Sequence, residues 1–162
     1  MQCKPNFLDM LQCCPPDACT DIHGNETYPC LNGKAHFHRT CYGGTLVEVE
    51  VFHLPEMSQP PESAFYGMHI HEMGDCVPPF DQTGNHYNPT DMPHPMHAGD
   101  MPALLGNHGY AYSIFYTERF RVEDIIGHSI VIHAHPDDYM TQPSGNSGDK
   151  IGCGVIQRYH MC

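Results

Sequence analysis

Between Thr45 and His53 the chain alternates Val47, Val49 and Val51 with Glu48 and Glu50, the period of two that a strand shows when one face is buried and the other wet. Segments at 18–24, 31–40, 65–71, 109–120 and 152–159 read as further strands. The stretch 124–133 reads as a turn leading into Ser129-Ile130-Val131-Ile132, an apolar run that predicts a buried strand ending at His133. A strand over 31–40 separates Cys30 from Cys41 by roughly 30 Å at about 3.3 Å per residue, whereas bridged Cα atoms lie within about 7 Å, so these two should not pair. The segment 109–120 carries Tyr110, Tyr112, Phe115, Tyr116 and Phe120. With only Arg119 and Arg121 beside them, these rings are expected to pack in core and sheet rather than to stack nucleic-acid bases. Three prolines make 54–63 a connection, and no period of about 20–50 residues points to a solenoid.

Composition supports strands and turns over helices, with fifteen Gly, fifteen Pro and no Trp. At 162 residues the chain is long enough for one self-sufficient core, and an all-β sandwich or barrel over 17–162 is the expected domain. Residues 1–16, with Cys3, Cys13 and Cys14, are too short and too polar to fold alone and read as a flexible or stapled extension; a soft thiolate site for Cu(I) is the sharper alternative. The formal charge of −12, with seven Lys and Arg, argues against nucleic acid and against anionic membrane surfaces, and it repels an anionic substrate at long range. No apolar run approaches the ~18 residues of a membrane span. No secretory signal is visible and the chain starts with Met, which favours the cytoplasm, where nine cysteines are many.

Candidate chemistry concentrates between Gly67 and Asp100. His69 and His71, at i and i+2 of a strand, project to one face and can grip one ion, while Ile70 faces a core. His86, His94, His97 and Asp100 follow at spacings of eight, three and three, in a loop stiffened by Pro89, Pro93 and Pro95. Three imidazoles and a carboxylate suit closed, tetrahedral zinc, whereas imidazoles alone suit copper; both kinds of site are on offer. His133 is available as a further imidazole for the first cluster, and His86 can serve both ions. His36, His38 and His53 read as solvated or hydrogen-bonded surface residues.

Six motifs occur in order: Gly-Met-His-Ile-His-Glu at 67–72, Gly-Asn-His-Tyr-Asn-Pro at 84–89, His-Ala-Gly-Asp-Met-Pro at 97–102, Ile-Ile-Gly-His-Ser-Ile-Val-Ile-His at 125–133, Pro-Asp-Asp at 136–138, and Gly-Asn-Ser-Gly-Asp-Lys-Ile-Gly-Cys-Gly-Val-Ile at 145–156. Together they resemble the successive signatures of copper/zinc superoxide dismutases, bacterial members most of all. The resemblance covers roughly 18–156. With the strand pattern, it implies a Greek-key β-barrel or flattened sandwich of about eight antiparallel strands with long metal-binding loops.

It implies copper on His69, His71, His86 and His133, zinc on His86, His94, His97 and Asp100, and a proton-delivering, bridging role for His86. Asp137 takes the place of a carboxylate that links a copper ligand to a zinc ligand, and Cys76 and Cys153 that of the intrachain disulfide. Lys150 stands where the family usually has Arg to guide the anion; it keeps the charge and loses the planar fork. The implied substrate is superoxide; family members are often dimers, bacterial and eukaryotic ones through different surfaces, and the sequence alone does not choose a homodimer here. A second functional class is a copper/zinc binding or copper storage/delivery module with incidental dismutase activity, one that would meet a copper donor or acceptor. Its support is the Cys-rich start and Met68, Met73, Met92, Met96 and Met101 near the site.

Overall fold

A computed structural model describes residues 6–56 and 64–161. Among these residues ten strands form: β1 (Ala18–Gly24), β2 (Asn32–Arg39), β3 (Thr45–Phe52), β4 (Phe65–Tyr66), β5 (Met68–His71), β6 (Leu104–Leu105), β7 (Tyr110–Thr117), β8 (Ser129–His133), β9 (Lys150–Val155) and β10 (Gln157–Arg158). They run antiparallel in the order β5-β8-β9-β1-β2-β3-β7, with β10 beside β1, and β4 pairs with β6 apart from them. The sheet curls into a half-barrel around one core. Among the described residues no helix is long and apolar enough to cross a membrane.

Alternation decides what enters that core. Val47, Val49 and Val51 of β3 point inward with Ala35 and Phe37 of β2, fully buried, while Glu48 and Glu50 face out. Tyr110 and Tyr112 of β7 share this outer face and donate hydroxyl hydrogen bonds to Glu50 at 2.9 Å and Glu48 at 2.7 Å, so these two rings brace the sheet from outside while Ala111 packs within. On β8, Ile130 and Ile132 join the core with Ile70 of β5, and each such side chain withdrawn from water contributes about 1.5–3 kcal/mol. Period two then sends His69, His71, Val131 and His133 to the opposite side, beneath the long 72–103 loop.

The single strand expected at 65–71 is split at Gly67. Its N–H donates to the His135 carbonyl and its own carbonyl accepts from the His133 N–H, and a Cβ there would come within 2.9 Å of Ser147. The last strand breaks likewise at Ile156, before β10. A disulfide joins Cys76 in the long loop to Cys153 of β9, packed against Phe80 and Val131. Cys19 is also disulfide-bonded, whereas Cys13, Cys14, Cys30 and Cys41 are exposed thiols.

The N-terminal extension holds a helix, α1 (Phe7–Cys13), capped by Asn6, whose side chain accepts the Asp9 N–H at 2.9 Å. Phe7, Met10 and Leu11 form its half-buried face. The Phe7 ring stacks on Tyr116 at 5.2 Å and meets the edge of Tyr42 at 5.4 Å. Tyr116 pairs across the sheet with Leu46, and Leu46 with His38. This row corrects one expectation: His38 is buried and both its ring nitrogens lack a hydrogen-bond partner, whereas His36 bonds Glu48 and His53 bonds Asn32.

Candidate metal centre

Two clusters of ligand atoms form on the outer side of β5 and β8, each with its atoms within 4.8 Å of one another: His69, His71, His86 and His133, then His86, His94, His97 and Asp100. All seven side chains are buried. Strands supply His69, His71 and His133 at fixed register; the loop supplies the rest, and an isolated bridge from His71 to His86 brings the two parts together. The 69 and 86 rings stack at 3.8 Å between centroids.

Four of the rings are held by one nitrogen from outside the clusters, and this settles what the other can do. Asp137 Oδ2 lies 2.8 Å from His69 Nε2, and its Oδ1 2.9 Å from His94 Nε2. A carboxylate only accepts, so both Nε2 atoms carry protons and both Nδ1 atoms carry lone pairs. His71 Nδ1 donates to the Gly84 carbonyl at 3.0 Å and His133 Nδ1 to the Gly148 carbonyl at 3.1 Å. Their Nε2 lone pairs therefore face each other at 3.3 Å. Two buried lone pairs so placed repel unless a cation lies between them.

Four further nitrogens turned into the clusters, His69 Nδ1, His86 Nε2, His94 Nδ1 and His97 Nδ1, have no hydrogen-bond partner, although burial normally demands one. Asp100 faces the second group, with Oδ1 2.8 Å from His86 Nδ1 and 3.3 Å from His97 Nδ1, and Oδ2 3.1 Å from His94 Nδ1. This donor set fits an all-imidazole ion beside a three-nitrogen, one-carboxylate ion, with His86 offering one nitrogen to each.

Electrostatics agree with neutral, ligating imidazoles. Burial pushes His69 down to about 4, partly opposed by Asp137. It pushes His133 down to about 3, helped by the neighbouring His69, and it lowers His71 further with help from His133 and His86. Burial alone would raise Asp137; hydrogen bonds from His69, the Tyr139 N–H and His94 overcome it and hold the carboxyl well below its usual range. Gly145 makes the close fit there possible, since a Cβ would lie 1.9 Å from Asp137 Oδ1.

A cleft of about 550 Å³ opens over the first cluster, lined by His71, His86, His133, Lys150, Glu72 and Asp91 among others. The Lys150 ammonium donates to Thr83 Oγ1 at 2.8 Å, the Gly84 carbonyl at 3.2 Å and the Phe80 carbonyl at 3.4 Å. Burial lowers its pKa, with Asp81 opposing.

The structure thus gathers every ligand residue picked from the sequence, sets Asp137 between the clusters and puts Lys150 on the cleft wall. Thr83 and the Gly84 and Gly148 carbonyls carried no sequence signal of this role. Nor did Arg119, weighed only for nucleic-acid contact; it braces the 72–103 loop by donating to the Pro95 carbonyl at 2.7 Å and the His97 carbonyl at 3.3 Å.

A family model described as copper/zinc superoxide dismutase matches residues 31–156. A copper-zinc superoxide dismutase of Deinococcus radiodurans is 37% identical over 136 residues, 70% of this chain and 71% of the relative. A copper-zinc superoxide dismutase of Aquifex aeolicus is 36% identical over 141 residues, 77% of this chain and 79% of the relative. Among solved structures, a superoxide dismutase-like protein from Bacillus subtilis superposes with TM-score 0.70 at 30% identity, covering 84% of this chain and 95% of that one.

Proposed function

Because the chain belongs to the copper/zinc superoxide dismutase family, whose metals its two clusters fit, we propose that it converts superoxide to dioxygen and hydrogen peroxide. In this reading copper sits on His69, His71, His86 and His133, and zinc on His86, His94, His97 and Asp100. The observation that carries it is His86, which belongs to both groups and keeps an unpartnered Nε2 on the side of the first. When bound, copper supplies one-electron exchange with two successive superoxide anions, a change of valence unavailable to zinc.

The rest falls to the chain. His86 Nε2 is the atom that holds a proton next to the cleft and yields it to the reduced dioxygen species. On the other side the His86 Nδ1 faces the second group, 2.8 Å from Asp100 Oδ1, and would be held there by the zinc it shares with Asp100, His94 and His97. Asp137 keeps both Nε2 protons in place and so both Nδ1 lone pairs turned inward. Lys150 gives the anion a positive charge at the cleft wall. At physiological salt, charges beyond about 8 Å are largely screened, so an anion in the cleft feels chiefly the groups that line it, Lys150 drawing it in and Glu72 and Asp91 opposing.

The test is metal content with turnover. The purified chain loaded with both metals should hold one copper and one zinc and remove superoxide faster than the same copper free in buffer, and His133→Ala should lose that activity while keeping zinc. A loaded chain that is inert would refute the enzyme reading and favour a copper/zinc binding or delivery module, for which the acidic Glu72 and Asp91 beside the cleft would serve to attract cations.

A further inference from the structure

A lysine is a poor replacement for a planar guanidinium because its ammonium is a compact charge on a four-carbon stem free to swing. Here that freedom is removed. All three N–H bonds of the Lys150 ammonium find acceptors on one tight turn, Phe80 to Gly84, whose 3₁₀ segment is Asp81–Thr83. The shortest, at 2.8 Å, goes to the hydroxyl of Thr83, a residue with no exposed surface. That hydroxyl spends its own hydrogen on the Phe80 carbonyl at 2.8 Å, so its lone pairs are left to accept from Lys150. The same oxygen stands 3.4 Å from Nδ1 of His71, whose proton goes to Gly84. One buried hydroxyl therefore lies between the cation and a ligand of the first cluster.

We propose that Thr83 is a positioning residue that pins the Lys150 ammonium to the cleft wall beside His71, giving a lysine the fixed placement its side chain lacks. Without the hydroxyl, two longer bonds to carbonyls remain, and the ammonium is drawn toward Asp81 and water. The kinetic consequence rests on the superoxide reading; the pinning does not.

The experiment uses the metal-loaded chain and its Thr83→Val, Thr83→Ala and Thr83→Ser variants, with retained metal content as the check on folding. The first readout is the acetylation rate of Lys150 measured by peptide mass spectrometry, with exposed Lys34 as internal reference. Loss of one hydrogen bond should raise Lys150 reactivity about fivefold in Val and Ala, leave Lys34 unchanged and be reversed in Ser. The second readout is superoxide kinetics, where kcat/KM should fall by a similar factor in Val and Ala but not in Ser, and Thr83→Val should have no further effect once Lys150 is Met. Unchanged Lys150 reactivity in Val and Ala, or a Ser variant that behaves like them, would overturn the proposal. If the parent chain removes no superoxide, the dismutase reading fails while the acetylation result still decides the positioning.

Discussion

Replacing Asp137 by Asn tests whether ring orientation is set from outside the clusters. The side chain is wholly buried and meets three donors: His69 Nε2 at 2.8 Å on Oδ2, and His94 Nε2 at 2.9 Å and the Tyr139 N–H at 2.7 Å on Oδ1. Asn has nearly the same shape but only one oxygen, the other position becoming a donor. If the oxygen stays with His94 and Tyr139, the new NH₂ confronts the His69 N–H, and that ring must move its proton to Nδ1, the atom turned into the first cluster. If the amide flips, His94 suffers the same change. Either way one imidazole loses its inward lone pair. Loss of such a supporting partner typically lowers metal affinity about 10–100-fold, or roughly 1.4–2.7 kcal/mol. Competition titrations against chelators, with copper and zinc measured separately, should show a loss of this size in at least one metal while the far-ultraviolet spectrum is unchanged. Both affinities staying within about twofold of the parent would refute the reasoning, because that range leaves no room for a lost ligand.

Three further outcomes follow from the fold. Removing the Cys76–Cys153 disulfide, which closes a separation of 77 residues, should cost up to about 4.5 kcal/mol on the chain-entropy relation, read as the shift in urea unfolding between the parent and its Cys76→Ala, Cys153→Ala double variant. Ile130→Ala removes a side chain with no exposed surface from the core and should destabilise by roughly 2–5 kcal/mol in the same assay. Burial lowers the pKa of His38, partly opposed by Glu48, so the unfolded chain binds a proton there more readily than the folded one. Its contribution is intact above about pH 6.5 and is lost as pH falls below that value toward the folded pKa. His38→Leu should therefore stabilise by about 1 kcal/mol at neutral pH, with the gap over the parent widening at pH 5.5; a gap independent of pH would clear His38 of that role.

What the sequence reveals and what it hides divide along physical lines. His69 and His71 were legible because strand alternation forces them to one face, Val47, Val49 and Val51 because the same rule buries them, and His133 because it ends an apolar run that reads as a buried strand. The loop residues of the two clusters were legible from dense His and Asp with proline spacing, reinforced by ordered motifs. Backbone acceptors leave no such trace: nothing in the letters Gly84 or Gly148 says that their carbonyls fix a ring. The burial of His38 was equally hidden, because its row with Leu46 and Tyr116 runs to Phe7, which comes from a segment about thirty residues earlier in the chain. Gly67 splits a strand through contacts with His133, His135 and Ser147, which lie far off in sequence.

The Cys76–Cys153 bond also bears on how the site is held together. Cys76 sits just ahead of the turn that grips Lys150 and His71, and Cys153 lies three residues beyond Lys150 on β9. The covalent link therefore joins the two walls of one chamber rather than two arbitrary points on a barrel. In a chain whose two cysteines are reduced, those walls are held together by the packing of Phe80 and Val131 and by the three hydrogen bonds of Lys150.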